Sequence, residues 1–160
     1  MKKFICNYIP SLKLFNQAHW VFPSVSIVMI ILHVDDDEED REIFRRALQE
    51  VSPRIECLDA EDGLEAFQLL TDAVTLSNLN CMFLDINMPL MDGITLLQRI
   101  KKDERLSKIP VYMYSASHNP KELDKVKAFH VEIISKQSDF KKLARILEPI
   151  IKPMIINTSF

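Results

Sequence analysis

The chain has 160 residues, of which 48% are apolar and 27% are charged, so it can bury one core and is expected to form a single domain rather than a disordered segment. Twenty basic and 23 acidic residues give a formal charge of −3, which argues against DNA contact by this chain. Cys6, Cys57 and Cys81 have no metal-ligand spacing and are expected to be reduced thiols, as in a cytoplasmic protein.

The N-terminal part of the chain does not share the pattern that follows it. Residues 21–32 are its longest apolar stretch, but Pro23 interrupts them, and a membrane-spanning helix needs about 20 residues. The basic start weakly resembles a signal peptide, yet no clear cleavage site follows it. We therefore expect no membrane association and treat residues 1–28 as an extension of unknown role. Because Met29 directly precedes the first predicted strand, a true start at Met29 is an alternative interpretation.

Strand-like and helix-like segments alternate from residue 30 onward, as judged by apolar periodicity and by breaking residues such as Pro53. The predicted strands are residues 30–34, 54–60, 81–85, 109–117 and 131–135. The predicted helices cover residues 43–51, 63–70, 93–102, a segment starting near 120, and 138–151. In the second predicted helix, the inward face consists of Leu64, Phe67 and Leu70. In the last, it consists of Phe140, Leu143, Leu147 and Ile150. Ser138 or Asp139 would cap the start of this last helix.

Five strands alternating with five helices indicate an α/β fold with a doubly wound parallel sheet. Parallel neighbours need crossover connections, and helices on both faces of the sheet supply them. In such sheets, ligands bind beyond the carboxyl ends of the strands. The fold class therefore predicts where the functional residues should lie.

Polar residues follow four of the predicted strands at that edge. Asp35 and Asp36 follow the first strand, Asp85 ends the third, Ser115 ends the fourth, and Lys136 follows the fifth. Three neighbouring carboxylates repel one another unless a hard cation such as Mg²⁺ joins them. The lysine ammonium and the serine hydroxyl would then complete a pocket suited to a phosphoryl group, with Asp85 as its covalent acceptor.

In the stretches ILHVDDDEED, FLDINMPLMDGITLL, VYMYSAS and IISK, the chain resembles the CheY-like receiver domain of two-component response regulators. The resemblance covers about residues 29–152. It implies a flavodoxin-like three-layer sandwich with strand order 2-1-3-4-5. It also implies a phosphorelay in which a sensor histidine kinase or a histidine phosphotransfer protein donates the phosphoryl group from a phosphohistidine. Such a domain is a signalling component that catalyses only its own phosphoryl transfer and dephosphorylation, rather than an enzyme with a separate substrate.

The resemblance also implies roles for individual residues. The Mg²⁺ site would consist of Asp36 as a direct ligand, Asp35 as its water-linked companion, Asp85, and the main-chain oxygen of Asn87. Asp85 would be the phosphoacceptor, Ser115 the switching hydroxyl, and Lys136 the lysine that pairs with the phosphoryl group.

Three positions depart from the family pattern. Gln137 stands where the family usually has a proline after the lysine, often with a cis bond, which costs about 2.5–4 kcal/mol before any other residue. Ile133 replaces the aromatic residue that switches rotamer, so another output route is expected. Phe129 and His130 replace a small pair before the last strand, where a turn must form without glycine.

The expected partners are proteins. Residues 153–160 form a short tail with no effector module attached, so a stand-alone receiver with an unknown downstream protein and no DNA-binding domain is expected. The resemblance assigns partner binding to the face of helix four, strand five and helix five. The lysines on that face would suit an acidic partner or a homodimer: Lys121, Lys125, Lys127, Lys141 and Lys142.

Two other functions are compatible with parts of this pattern. A haloacid-dehalogenase-like phosphatase would need an acidic residue where Asn87 stands. A docking module that keeps the fold but does not signal through Asp85 is a second alternative. We interpret Asp37 to Asp40 as a solvated helix N-terminus. The remaining residues considered are His33, His118 and His130, interpreted as incidental, and Met82, Met88, Met91 and Met113, interpreted as packing residues.

Overall fold

The computed structural model describes residues 29–157, and side chains up to residue 155. The predictions for residues 1–28, including Cys6, lie outside this range. The strands are β1 Met29–Val34, β2 Ile55–Ala60, β3 Leu79–Leu84, β4 Val111–Ser115 and β5 Glu132–Ser135. The helices are α1 Glu38–Val51, α2 Gly63–Thr71, α3 Ala73–Asn78, α4 Gly93–Lys102, α5 Pro120–Lys127 and α6 Phe140–Asn157, with a short 3₁₀ helix at Leu106–Lys108.

The five strands form one parallel sheet in the order β2-β1-β3-β4-β5. This confirms the predicted fold class and strand order. The helix count differs, because α3 was not predicted. Its six residues bury no side chain, so the sequence there carries no apolar periodicity, and Asp72 caps it by accepting a hydrogen bond from the Thr75 amide (2.7 Å).

The sheet separates two apolar cores. One core packs α1 and α6 against the sheet and contains Phe44, Phe83, Tyr114 and Leu147. The other packs α2, α4 and α5 against the opposite face. The methionines predicted as packing residues are all buried: Met82, Met88, Met91 and Met113. Burial of both sheet faces explains why the central strands are apolar throughout rather than alternating.

Cys57 and Cys81 are free thiols, the first partly buried and the second fully buried. Within residues 29–157, no helix has the length and apolar content needed to cross a lipid bilayer.

The inward face of α2 differs from the predicted one. Leu64 is 45% exposed, whereas Gly63, Ala66 and Leu70 are buried. Ala66 and Leu70 lie one helical turn apart on the buried face of the helix, and this rotation turns Leu64 outward. The prediction for Leu64 was wrong because apolar character alone did not fix the rotation of this helix.

The last helix is longer than predicted. It is capped by Asp139, which accepts hydrogen bonds from the amides of Lys141 and Lys142 (2.7 and 3.1 Å), and it continues to Asn157 rather than ending at residue 151. Pro149 and Pro153 lie four residues apart on its exposed side. Burial of Ile151 on the opposite side stabilises the helix where the prolines remove backbone hydrogen bonds. Leu143 and Leu147 are buried as predicted, whereas Phe140 and Ile150 are only partly buried.

Among residues 29–157, two non-glycine residues adopt positive φ. His130 has φ of 53° and makes the turn before β5, which answers how that turn forms without glycine. Leu90 has φ of 59° and is 84% exposed in the loop after β3. No cis peptide bond occurs among residues 29–157, so the bond before Gln137 is trans.

Gly93, the first residue of α4, packs directly against the backbone at the end of β3. Its amide donates to the Ile86 carbonyl (3.0 Å). A Cβ atom at this position would lie 1.8 Å from the Asp85 carbonyl oxygen, which is far inside van der Waals contact. The absence of a side chain at residue 93 therefore sets how closely α4 approaches Asp85.

We expect Gly93→Ala to lower the free energy of unfolding by about 1–3 kcal/mol, because backbone atoms must move to admit the methyl group. Gln98→Ala, on the exposed side of the same helix, is the matched control and should change it little. Urea denaturation of both variants measures the difference, and equal stability of the two would contradict the steric argument.

Candidate functional site

The carboxyl ends of four strands converge as the sequence predicted. Asp35 follows β1, Asp85 follows β3, Ser115 ends β4, and Lys136 follows β5. Each strand end is fixed by a backbone hydrogen bond to its neighbour. Those bonds join Asp35 N to Ala60 O (3.0 Å), Asp85 N to Val34 O (2.9 Å) and Lys136 N to Ser115 O (3.2 Å). The side chains that leave these positions therefore start from a rigid sheet edge.

Three carboxylates form the centre of the site. Asp35, Asp36 and Asp85 each place one oxygen within 4.8 Å of the others. Asp35 and Asp85 are buried, whereas Asp36 is exposed. One oxygen of each buried carboxylate accepts a hydrogen bond from the backbone that follows it. Asp35 Oδ1 accepts from the Asp37 amide (3.1 Å) after β1, and Asp85 Oδ1 accepts from the Ile86 amide (2.7 Å) after β3.

The second oxygen of each buried carboxylate faces Lys136. The Lys136 Nζ atom lies 2.8 Å from Asp35 Oδ2 and 3.1 Å from Asp85 Oδ2. It also lies 2.9 Å from Asp40 Oδ2. One ammonium group therefore contacts carboxylates from the β1 end, the β3 end and the first turn of α1, and this side chain is only 12% exposed.

The charges in the site shift one another's protonation. Burial raises the pKa of Asp35 to about 6, against the opposing effect of the Lys136 ammonium. Burial alone would lower the pKa of Lys136, but hydrogen bonds to Asp35 and Asp40 and the charge of Asp85 raise it above its ordinary value. Lys136 is therefore permanently charged, and its single positive charge does not balance the negative charge of the carboxylates around it.

The donor atoms fit a hard divalent cation. Three carboxylate oxygens within one small volume, two of them on buried side chains, are the ligands that Mg²⁺ and related ions prefer. The raised pKa of Asp35 shows that its charge is costly in this environment, and a bound cation would reduce that cost. The residues present therefore fit the metal that the resemblance implies.

Ser115 is the last residue of β4, and Asn87 lies in the loop after β3. Ser115 is buried, and its hydroxyl oxygen accepts a hydrogen bond from the Ser117 amide (3.2 Å). Asn87 is exposed in the loop after β3. Glu122 of α5, which the sequence did not predict, accepts hydrogen bonds from Ser117 and Asn119 in the loop after β4 and from Asn87 in the loop after β3. These hydrogen bonds lower the pKa of Glu122 and connect the two loops.

Two residues of α1 belong to the site although the sequence did not predict them there. Asp37 caps the helix as expected, but Asp40, interpreted as solvated, contacts Lys136 and is only 27% exposed. Arg41 is buried and donates to the main-chain oxygen of Asp35 (2.7 Å). The available signal was spacing, because Asp40 follows Asp36 by four residues and a cation follows it directly.

His33 lies beneath the carboxylates and is fully buried. Its ring stacks on Phe44 with centroids 3.9 Å apart, and its Nε2 atom lies 3.6 Å from Asp35 Oδ2. Burial, reinforced by the nearby positive charges, lowers its pKa well below the ordinary value, so the imidazole is neutral. It acts in the structure as an aromatic packing residue under the site.

We expect Asp40→Asn to speed exchange of the Lys136 ammonium protons with water by about fivefold, because one charge-assisted hydrogen bond is lost. Glu39→Gln is the matched control, since Glu39 is an exposed acid in the same helical turn. Exchange measured by NMR at fixed pH tests this, and an effect as large in Glu39→Gln would assign it to the general charge of the helix end.

Comparison with known proteins agrees with this geometry. Residues 31–148 match the sequence profile described as the response regulator receiver domain. The response regulator Rcp1 of Synechocystis sp. is 29% identical over 125 residues, covering 76% of this chain and 85% of that protein.

Two solved structures share the fold at 28% identity. One is the Mn(2+)-bound form of response regulator Rcp1, with a TM-score of 0.66 and coverage of 76% of this chain and 91% of that one. The other is the phosphorylated cyanobacterial phytochrome response regulator RcpA, with a TM-score of 0.69 and coverage of 82% and 96%. The sequence profile spans most of the described residues, and the fold is shared with the two response regulator structures. This chain therefore belongs to the response regulator receiver domain family.

Proposed function

We propose that this protein is a phosphoacceptor in a Mg²⁺-dependent phosphorelay and that Asp85 carries the phosphoryl group. The observation that supports this most directly is the position of the Asp85 carboxylate, between two further carboxylates and the Lys136 ammonium. Only here among the described residues do three acidic side chains gather in this way. The RcpA relative was solved in a phosphorylated state, which is consistent with the same chemistry in this chain.

The proposed reaction is an in-line displacement. A carboxylate oxygen of Asp85 forms a bond to phosphorus while the bond from phosphorus to the donor histidine nitrogen breaks, and the electron pair of that bond stays on the imidazole. The Lys136 ammonium pairs with the negatively charged phosphoryl oxygens, and the Ser115 hydroxyl donates a hydrogen bond to one of them. A phosphohistidine on a sensor histidine kinase or a histidine phosphotransfer protein is the proposed donor.

Mg²⁺ would neutralise charge on the phosphoryl group when bound. In this proposal it is held by Asp36, Asp35 and Asp85 together with the main-chain oxygen of Asn87. The relative Rcp1 was solved in a Mn(2+)-bound form, which supports divalent-ion binding by this chain. Asp35 is buried, and its carboxylate accepts a hydrogen bond from the Asp37 amide. In this proposal it orients the metal site and does not face solvent.

The proposed setting is the cytoplasm, where sensor kinases present their phosphohistidine. The output is proposed to be contact with a downstream protein, or a homodimer, rather than binding to DNA. Ile133 at the position of the usual aromatic switch favours an output route that does not use a swinging ring. If phosphorylation left every other property of the chain unchanged, the alternative of a phosphorylation-independent docking module would be preferred.

We expect Asp36→Ala to weaken Mg²⁺ binding by at least about tenfold, roughly 1.4 kcal/mol, because an exposed anionic ligand is removed while the buried pair remains. Glu38→Ala, an exposed acid two residues away, is the matched control. Calorimetric titration with MgCl₂ measures both, and wild-type affinity in Asp36→Ala would remove this residue from the metal site.

We expect Asp85→Asn to fold normally and to gain no phosphoryl group from acetyl phosphate, since the amide keeps the shape of the side chain without its nucleophilic charge. Asp92→Asn is the matched control, because Asp92 caps α4 in the adjoining loop and asparagine caps equally well. Intact mass after incubation with Mg²⁺ should show one added phosphoryl group in wild type and in Asp92→Asn. Phosphorylation of Asp85→Asn at the wild-type rate would reject the assignment.

A further inference from the structure

The segment after β5 must hold Lys136 in place without a proline. The peptide bond before Gln137 is trans, and Gln137 has a backbone N–H that proline would lack. That N–H donates to the hydroxyl oxygen of Tyr114 across a distance of 3.1 Å. The contact links a buried side chain of β4 to the backbone immediately after the lysine.

Lys136 is held by β4 on both of its sides. Its own N–H donates to the Ser115 carbonyl (3.2 Å), and the next N–H donates to Tyr114. The Gln137 side chain closes the turn, because its Nε2 atom donates to the Ser135 carbonyl (2.9 Å). Two successive residues of β4 therefore fix the backbone from which the lysine side chain extends.

The Tyr114 hydroxyl is itself fixed by its surroundings. The side chain is fully buried. Its ring lies 5.3 Å from that of Phe44 and 5.7 Å from that of His33, so residues of α1 and β1 enclose it. Burial raises the pKa of this phenol to about 12, which keeps it uncharged. Because the packed ring cannot rotate away, the hydroxyl oxygen stays at one position as a hydrogen-bond acceptor.

We propose that Tyr114 is a positioning residue for Lys136: its hydroxyl accepts the Gln137 N–H and so fixes where the ammonium lies between Asp35 and Asp85. The structural part of this proposal stands on the contacts alone. Its consequence for phosphorylation rests on the function proposed above. An error of about 1 Å in placing a catalytic group can cost up to a hundredfold in rate. Loss of the hydrogen bond from the Gln137 N–H to Tyr114 is therefore expected to slow phosphoryl transfer.

The test compares Tyr114→Phe with Tyr112→Phe. Both changes remove one hydroxyl from β4, and Tyr112 instead stacks on Phe83 (5.0 Å) at a register position opposite Glu132. In Tyr114→Phe we expect the Gln137 amide to exchange at least about tenfold faster, because it loses its acceptor. The Lys136 ammonium protons should exchange faster too, and phosphorylation by acetyl phosphate with Mg²⁺ should slow by about tenfold. Tyr112→Phe should leave all three values at those of wild type.

Variants of Gln137 separate positioning from general stability. Gln137→Pro removes the N–H, so adding Tyr114→Phe to it should have no further effect on Lys136 exchange. Gln137→Ala keeps the N–H and removes the side-chain bond to Ser135, so Tyr114→Phe should retain its full effect there. Additive effects of Tyr114→Phe and Gln137→Pro would overturn the proposal. If Gln137→Pro does not fold, the Gln137→Ala background alone decides, since absence of the Tyr114→Phe effect there is equally contradictory.

Two results distinguish this inference from the proposed function. Unchanged exchange at Gln137 and Lys136 in Tyr114→Phe overturns the positioning role, whatever the chain does with acetyl phosphate. If exchange changes as expected but wild type itself gains no phosphoryl group, the positioning role stands and the proposed function fails. Slower phosphorylation in both tyrosine variants, with equal loss of stability, would overturn the positioning role in favour of a packing effect.

Discussion

The ammonium of Lys136 is the interaction on which the site depends. It contacts Asp35, Asp40 and Asp85, which come from three separate elements and would otherwise repel one another. Because the effective dielectric is lower in a partly buried place, the attraction between this cation and each carboxylate is stronger there than on the surface. The sheet supplies the geometry, and the lysine makes the concentration of negative charge tolerable.

A second cation, the buried Arg41, supports the segment between β1 and α1. Arg41 donates to the main-chain oxygen of Asp35, so it acts on the backbone rather than on the carboxylate. It also reaches Glu61 after β2 (3.2 Å), which ties α1 to the edge of the sheet. Lys136 thus contacts the carboxylate of Asp35 and Arg41 contacts its main-chain oxygen. Helix α1 contributes to the site through Asp40 as well as through its capped end.

The fold and the strand-end residues could be predicted because both follow from short-range patterns. Alternating apolar segments define the sheet, and the carboxyl ends of parallel strands must share an edge, which brings Asp35, Asp85 and Lys136 together. The contacts of Asp40 could not be predicted, since they depend on how α1 is rotated over the sheet. The Tyr114 contact joins residues 23 positions apart through a buried hydroxyl, and no local pattern reports it.

The close approach of Gly93 to the Asp85 carbonyl couples two parts of the molecule mechanically. Because no free space separates them, the start of α4 cannot slide along the sheet without carrying the peptide after β3 with it. The position of the first turn of α4 and the position of the Asp85 peptide are therefore set together. A side chain at residue 93 would have to push these two backbone segments apart, so the geometry around the central aspartate depends on a residue that carries no functional group.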